Sequence, residues 1–181
     1  KSQGMRITVV VENTGTEEFA IEHGLSLHVR MDDGCQILFD MGQSDAFVRK
    51  AARLHIDLQE VDYAVLSHGH YDHGGGLKRF LEINQTAPVY LSRNAFTKCY
   101  NAGQKYIGLD PSLADSPRLR FVEDHLQLGE GISIRGGRMR QYFPAESFGE
   151  WVLDNGRPRK DDYDHEQYLM IQEDGKTVCI S

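Results

Sequence analysis

The stretch Ser67-His68-Gly69-His70-Tyr71-Asp72-His73-Gly74-Gly75-Gly76 places three imidazoles and a carboxylate within six residues. Neutral imidazole and ionised carboxylate are the side chains that hold zinc, and they also suit manganese and iron. If the chain is extended at its start, His68 and His70 point to the same side, because side chains in extended backbone repeat every second residue. A turn after them lets Asp72 and His73 address a neighbouring point. One short loop could then supply two adjacent divalent ions with two ligands each, and Gly69 would let the backbone run close to them. The bland reading is a polar loop with incidental histidines. With 8 His in 181 residues, a group this dense is a poor match to chance.

The elements around the loop fit a ligand position. Met5, Ile7, Val9 and Val11 alternate with Arg6, Thr8 and Val10; Leu25, Leu27, Val29 and Met31 alternate with Ser26, His28 and Arg30. Both runs read as half-buried strands. Asp33-Gly34 marks a hairpin into a third strand over 35–39. The period then changes. A helix capped by Ser44 or Asp45 runs to about His55, a more apolar strand covers 61–66, a second helix 74–84 and a further strand 88–91. Strand, helix, strand, helix, strand implies parallel pairing in a layered α/β fold. The histidine loop follows a strand and opens a helix, which is where such folds bind ligands. Residues 100–118 and 136–165 show no clear period and read as long loops that cover a site or lack order. A last hairpin joins 167–172 to 177–180 through Glu173-Asp174-Gly175.

Composition narrows the partners. Apolar residues are 40% and charged residues 26%, an ordinary globular mix in a length that suits one domain. Lys+Arg is 20 against Asp+Glu 27, a net charge of -7, which opposes nucleic acid and anionic membrane. No apolar run reaches the roughly 18–20 residues of a membrane span. Cys35, Cys99 and Cys179 are odd in number, widely spaced and without a CxxC pair, so they imply a reducing cytoplasm rather than a disulfide framework. Residues 1–4 precede Met5, which reads as an initiator, so the domain would comprise residues 5–181.

His68-x-His70-x-Asp72-His73 resembles the HxHxDH signature of the metallo-β-lactamase superfamily. Glu22-His23-Gly24-Leu25-Ser26, Ile37-Leu38-Phe39-Asp40-x-Gly42-Gln43-Ser44 and Leu66–Leu77 resemble one branch of it. That branch is named for 7,8-dihydropterin-6-methyl-4-(β-D-ribofuranosyl)aminobenzene-5′-phosphate synthase, and its bacterial members are mostly described as metal-dependent hydrolases. The likeness covers about residues 5–99 and resumes at about 164–181. It implies a metallo-β-lactamase-like αββα four-layer sandwich with metal ligands His68, His70, Asp72 and His73. Two zinc ions, or manganese or iron, would share a water that attacks an ester, amide or phosphoester. His68 and His70 would hold the ion that polarises the substrate, and Asp72 and His73 the ion that steadies the leaving group. Asp72 would also orient the water. Asp40 would be the motif aspartate that orients the ligand loop; as a residue alone it could equally cap a turn.

In the superfamily a third histidine for the first ion follows a later strand, in this branch within a Gly-Cys-Ser-His run. Thr177–Ser181 resembles the strand leading into it, so the sequence reads as the N-terminal and central part of the domain, with the C-terminal part lacking. A homo-oligomer or a completing second chain is the corresponding expectation. The substrate would be a small molecule, with a phosphorylated one among the options. The branch name offers a transferase alternative, in which a dihydropterin pyrophosphate couples to a ribofuranosylaminobenzene phosphate. A third reading is an inactive metal-binding fragment. A redox di-iron role fits less well, because such proteins resemble HxExDH and the middle residue here is His70.

Lesser candidates divide between function and surface. His23 reads as a pocket contact or a turn residue, His28 as solvated on the polar side of its strand, and His165, beside Asp164 and Glu166, as approaching the site or as part of a charged turn. Gly74-Gly75-Gly76 reads as a phosphate-binding helix start or as relief of crowding. Arg135, Arg138, Arg140, Arg157, Arg159 and Lys160 read as solvated loops or phosphate holders. Tyr142, Phe143, Phe148 and Trp151 read as an apolar cover, a subunit contact or a satellite core.

Overall fold

A computed structural model describes residues 4–12, 24–136, 150–162 and 164–180. Three antiparallel strands begin the largest sheet: β1 (Arg6–Val11), β2 (Ser26–Arg30) and β3 (Gln36–Phe39). Gly34 turns between β2 and β3 with φ 91°, a backbone state open to glycine. The chain then builds parallel strands β4 (Tyr63–Val65), β5 (Val89–Ser92) and β7 (Leu119–Val122) alongside β3. The order across this sheet is β1-β2-β3-β4-β5-β7. Helices α1 (Ala46–Arg53), α2 (Tyr71–Gly74) and α3 (Leu77–Ile83) occupy the crossovers, as right-handed parallel connections require.

A second, four-stranded antiparallel sheet has the order β13-β12-β9-β8, from β8 (His125–Gly129), β9 (Ile132–Gly136), β12 (Gln167–Glu173) and β13 (Lys176–Ile180). A small third sheet joins β6 (Lys98–Tyr100) to the hairpin β10 (Trp151–Asp154) and β11 (Arg157–Lys160). Trp151 stacks on Tyr100 there, centroids 4.4 Å apart. That hairpin lies inside the stretch expected to be loop.

Two apolar cores separate three layers. Phe47 and Ala51 of α1 and Leu77 and Phe80 of α3 pack on Val10, Leu38, Ala64, Val89 and Leu91 of the large sheet. The opposite face contributes Val29, Ile37, Phe39 and Val65, against Ile132, Ile134, Leu169 and Ile171 of the second sheet. Each such fully buried side chain contributes roughly 1.5–3 kcal/mol relative to exposure. Helix, sheet and sheet are thus three layers of the expected sandwich. Among the described residues no helix covers the far side of the second sheet, and no helix is long and apolar enough to cross a membrane. The expected helix over 74–84 is split, with Gly75 and Gly76 between α2 and α3.

His28 corrects an expectation. Strand alternation puts it on the polar, solvated side of β2, yet it is buried, and its Nε2 lies 2.9 Å from Gln36 Oε1. His28 pairs with Leu38, which lies in the core packed by the helices, so this face of β2 is buried at Ser26 and His28 and opens to water at Arg30. Burial pulls the His28 pKa below its ordinary value of 6.5, against the Gln36 hydrogen bond and with the help of nearby Arg30. As pH falls through about 6.5 the unfolded chain takes up this proton before the folded one does, so stability present above that pH is lost below it. Urea titrations between neutral and mildly acidic pH should show a weaker pH dependence for His28→Gln than for the parent chain.

Candidate metal centre

The histidine loop sits where β3 and β4 end side by side. Asp40 leaves β3 with φ 60°, a left-handed state that aspartate tolerates better than most residues. Its N–H donates to the Val65 carbonyl at 2.9 Å, which ties the two strand ends together. The turn aims its carboxylate inward, and the residue is wholly buried. Oδ1 accepts from the Ser67 amide at 2.7 Å, and Oδ2 from the Ser67 hydroxyl at 2.6 Å and from His73 Nδ1 at 2.7 Å. Ser26 donates from its hydroxyl to the Asp40 carbonyl at 2.7 Å.

These bonds fix the imidazole tautomers. A hydroxyl has one proton, and Ser67 gives its proton to Asp40. The 2.8 Å contact between Ser67 Oγ and His68 Nδ1 must then be donated by His68, which leaves the lone pair on His68 Nε2. His73 donates from Nδ1 to Asp40, which leaves its lone pair on Nε2. That atom lies 3.7 Å from Asp72 Oδ2. A lone pair and an anionic oxygen this close repel each other unless a cation or a proton lies between them.

The electrostatics agree with the geometry. Burial pulls the His73 pKa down, but the hydrogen bond and charge of Asp40, with the Asp72 charge, outweigh it and raise the pKa overall. Burial, followed by the neighbouring His73, His70 and His165, holds His68 well below its ordinary range. His68 is therefore a neutral imidazole near neutral pH, the form that binds metal. The ring centroid of His68 is 4.2 Å from that of His73 and 4.8 Å from that of His70. The ligand atoms of His68, Asp72 and His73 lie within 4.8 Å of one another. The loop thus brings the four named residues together, with His68 beside both His70 and His73.

His70 belongs also to a second, buried group with Cys99, Asp161 and His165, whose ligand atoms again lie within 4.8 Å. Sequence reasoning missed Cys99 and Asp161, and read His165 either as approaching the site or as part of a charged turn. Asp161 and His165 stand in a run of charges that looks like a solvated turn, and no local period marks them. What buries them is a distant pairing: the Gln167 amide donates to the Ser67 carbonyl at 2.7 Å, and Gln167 Nε2 donates to the Leu66 carbonyl at 2.8 Å, so the start of β12 is laid across the loop. Cys99 is buried, and burial with nearby Asp161 and Asp164 pushes its thiol pKa up to about 12.

The remaining candidates are placed as follows. The glycine triplet relieves crowding: a Cβ on Gly75 would lie 2.1 Å from the Gln43 carbonyl oxygen, and one on Gly76 2.5 Å from that of Met41. Arg159 pairs with Asp154, Asp162 and Asp164, a local network that neutralises it. His23, Arg138, Arg140, Tyr142, Phe143 and Phe148 lie outside the described residues.

Comparison with known proteins accounts for this arrangement. The uncharacterized protein MJ0448 of Methanocaldococcus jannaschii is 32% identical over 172 residues, which cover 92% of this chain and 66% of that protein. The 7,8-dihydropterin-6-methyl-4-(β-D-ribofuranosyl)-aminobenzene-5′-phosphate synthase of the same organism is 25% identical over 180 residues, covering 90% of this chain and 61% of that enzyme. The crystal structure of Tm1679, described as a metal-dependent hydrolase of the β-lactamase superfamily, superposes with a TM-score of 0.76 at 32% identity, over 97% of this chain and 64% of that one. The chain therefore spans just under two thirds of the length of each of these relatives. The family model of the metallo-β-lactamase superfamily matches residues 23–165, a span that contains the whole histidine loop together with Asp40, Asp161 and His165, and the chain belongs to that superfamily.

Proposed function

We propose that this chain carries the metal-binding loop of a metal-dependent hydrolase acting on an ester, amide or phosphoester. The observation that carries the reading is the His73 lone pair facing the Asp72 carboxylate at 3.7 Å, with the far side of His73 already secured by Asp40. A cation fits that gap by its chemistry, since two nitrogen or oxygen ligands each about 2.0–2.2 Å from zinc stand at a comparable separation. His68, His70, Asp72 and His73 would hold the metal, as one or two ions, with zinc, manganese or iron all matching the donor set.

When bound, such ions supply a water that ionises near neutral pH and positive charge opposite a developing oxyanion. The protein side of the work falls to named residues. Asp40 and Ser67 hold His68 and His73 in the tautomers that present Nε2. Asp72 accepts a hydrogen bond from the attacking water and turns its lone pair toward the substrate. The chain spans just under two thirds of its relatives' length. The synthase relative supports a second reading, in which the amine nitrogen of an aminobenzene attacks the methylene carbon of a dihydropterin pyrophosphate, forming a C–N bond as the C–O bond to pyrophosphate breaks and the amine gives up a proton.

The test is a chelation and reconstitution series. Protein treated with chelator and then reloaded with zinc, manganese or iron is assayed on nitrophenyl acetate and bis-nitrophenyl phosphate. Hydrolysis lost on chelation and restored by one of the ions is the expected result; hydrolysis indifferent to chelation would overturn the reading. Coupled product from a dihydropterin pyrophosphate and an aminobenzene acceptor, without hydrolysis of either ester, would favour the transferase.

A further inference from the structure

Asp161 and His165 lie four residues apart just before β12, and both side chains are fully buried. A buried carboxylate is costly unless hydrogen bonds compensate it. Asp161 Oδ2 lies 3.3 Å from His70 Nε2 and 3.2 Å from His165 Nε2. The direction of the second of these bonds follows from a third, and the first is drawn with the carboxylate accepting. The Gly69 amide donates to His165 Nδ1 at 2.9 Å, and a backbone N–H can only donate. His165 Nδ1 therefore carries the lone pair and Nε2 carries the proton, which goes to Asp161. In this arrangement both nitrogens of His165 are committed within the protein.

The group His70, Cys99, Asp161 and His165 has the composition of a four-ligand metal site, yet these bonds assign it another part. Cys99 Sγ points the same way, donating to the Thr97 carbonyl at 3.2 Å. We propose that Asp161 and His165 are positioning residues for the histidine loop. Asp161 accepts the Nε2–H of His70 and so fixes the plane and tautomer of that ring, and coordination by His70 would then have to use Nδ1. His165 holds Asp161 in place and pins the Gly69 peptide, the one backbone link between His68 and His70. A carboxylate behind a ligating imidazole orients the ring and raises its basicity, and its loss typically weakens metal binding about 10–100-fold. The inference rests on the metal reading above and concerns how one of its ligands is held.

Two measurements test it. Long-range proton–nitrogen NMR of the metal-free chain, under mildly alkaline conditions where unperturbed imidazole is neutral, should show His165 and His70 both as Nε2–H tautomers. A Nδ1–H tautomer at His165 would overturn the proposal whether or not metal binds, and this readout needs no variant to fold. Cobalt titration is the second. Asp161→Asn should bind cobalt about 10–100-fold more weakly than the parent with the same number of ions per chain. Cys99→Ser should bind as the parent does, and neither protein should show a thiolate-to-cobalt charge-transfer band. Unaltered cobalt affinity in Asp161→Asn overturns the positioning role. So does a charge-transfer band lost in Cys99→Ser together with one fewer ion in Asp161→Asn, which would make the buried group a metal site itself. A parent chain that takes up no cobalt would instead overturn the metal reading.

Discussion

Asp40→Ala should destabilise the chain by about 3–5 kcal/mol, the range for removing one partner of a buried charged network. The loss has three parts, because the carboxylate accepts from the Ser67 amide, the Ser67 hydroxyl and His73 Nδ1. None of these donors has water to turn to at a wholly buried position, and a stranded buried donor typically costs about 1–3 kcal/mol. Backbone adds to the cost, since φ 60° penalises alanine by roughly 1–2 kcal/mol. Asp40→Gly removes the same acceptor without that penalty and should be the less damaging change by about 1 kcal/mol. Asp40→Asn keeps the shape but puts an amide donor where Oδ1 or Oδ2 must accept. It should fold, yet bind zinc about 10–100-fold more weakly, because His73 is no longer held with Nε2 outward. Urea unfolding of the metal-free proteins and competition with a zinc chromophore measure the two effects separately. Equal stability of the parent and Asp40→Ala would show that the carboxylate does not organise the loop.

The candidate metal loop is legible in the sequence because its chemistry is local: residue types, spacing and flanking elements all lie within a few residues. The same holds for β2 and β3, whose Asp33-Gly34 turn carries their register, and for the β12–β13 hairpin, whereas the alternation read for β1 fails: Ile7 and Val9 are exposed, Val10 and Val11 are buried, and the pairing shifts register between Val9 and Val11. Other features depend on contacts that no window of sequence contains. The hairpin β10–β11 reads as loop because it is short and its outer strand is Arg-Pro-Arg-Lys, charged as exposed edge strands tend to be. His28 reads as solvated because alternation reports two faces and not what covers them. Asp161 goes unmarked, and His165 is not separated from a charged turn, because their burial comes from β12 crossing the loop at Ser67. Half of the candidate centre is thus written in one motif. The other half exists only once two sheets meet.

Gly69→Ala should abolish tight metal binding while leaving the candidate ligands His68 and His70 beside it in the sequence. A Cβ at this position would lie 2.1 Å from the Ala95 carbonyl oxygen and 2.9 Å from its carbon. Both are backbone atoms, so no side chain can swing aside, and the loop or the segment after β5 must shift by about an ångström. That shift breaks the hydrogen bond from the Gly69 N–H to His165 Nδ1 and separates His68 from His70, whose rings are 4.8 Å apart. Ligands displaced by so much no longer close on one ion, and strain of this kind commonly costs about 1–3 kcal/mol or more. Gly129→Ala supplies the comparison, because nothing lies within 4 Å of the point its Cβ would occupy and its φ is not left-handed; a surface change of that kind should alter stability by no more than about 0.5 kcal/mol. Isothermal titration with zinc and thermal unfolding, run on both variants, decide the matter. Parent-like zinc affinity in Gly69→Ala would mean that the loop is soft enough to yield, and the close approach to Ala95 would then have no part in setting the ligand geometry.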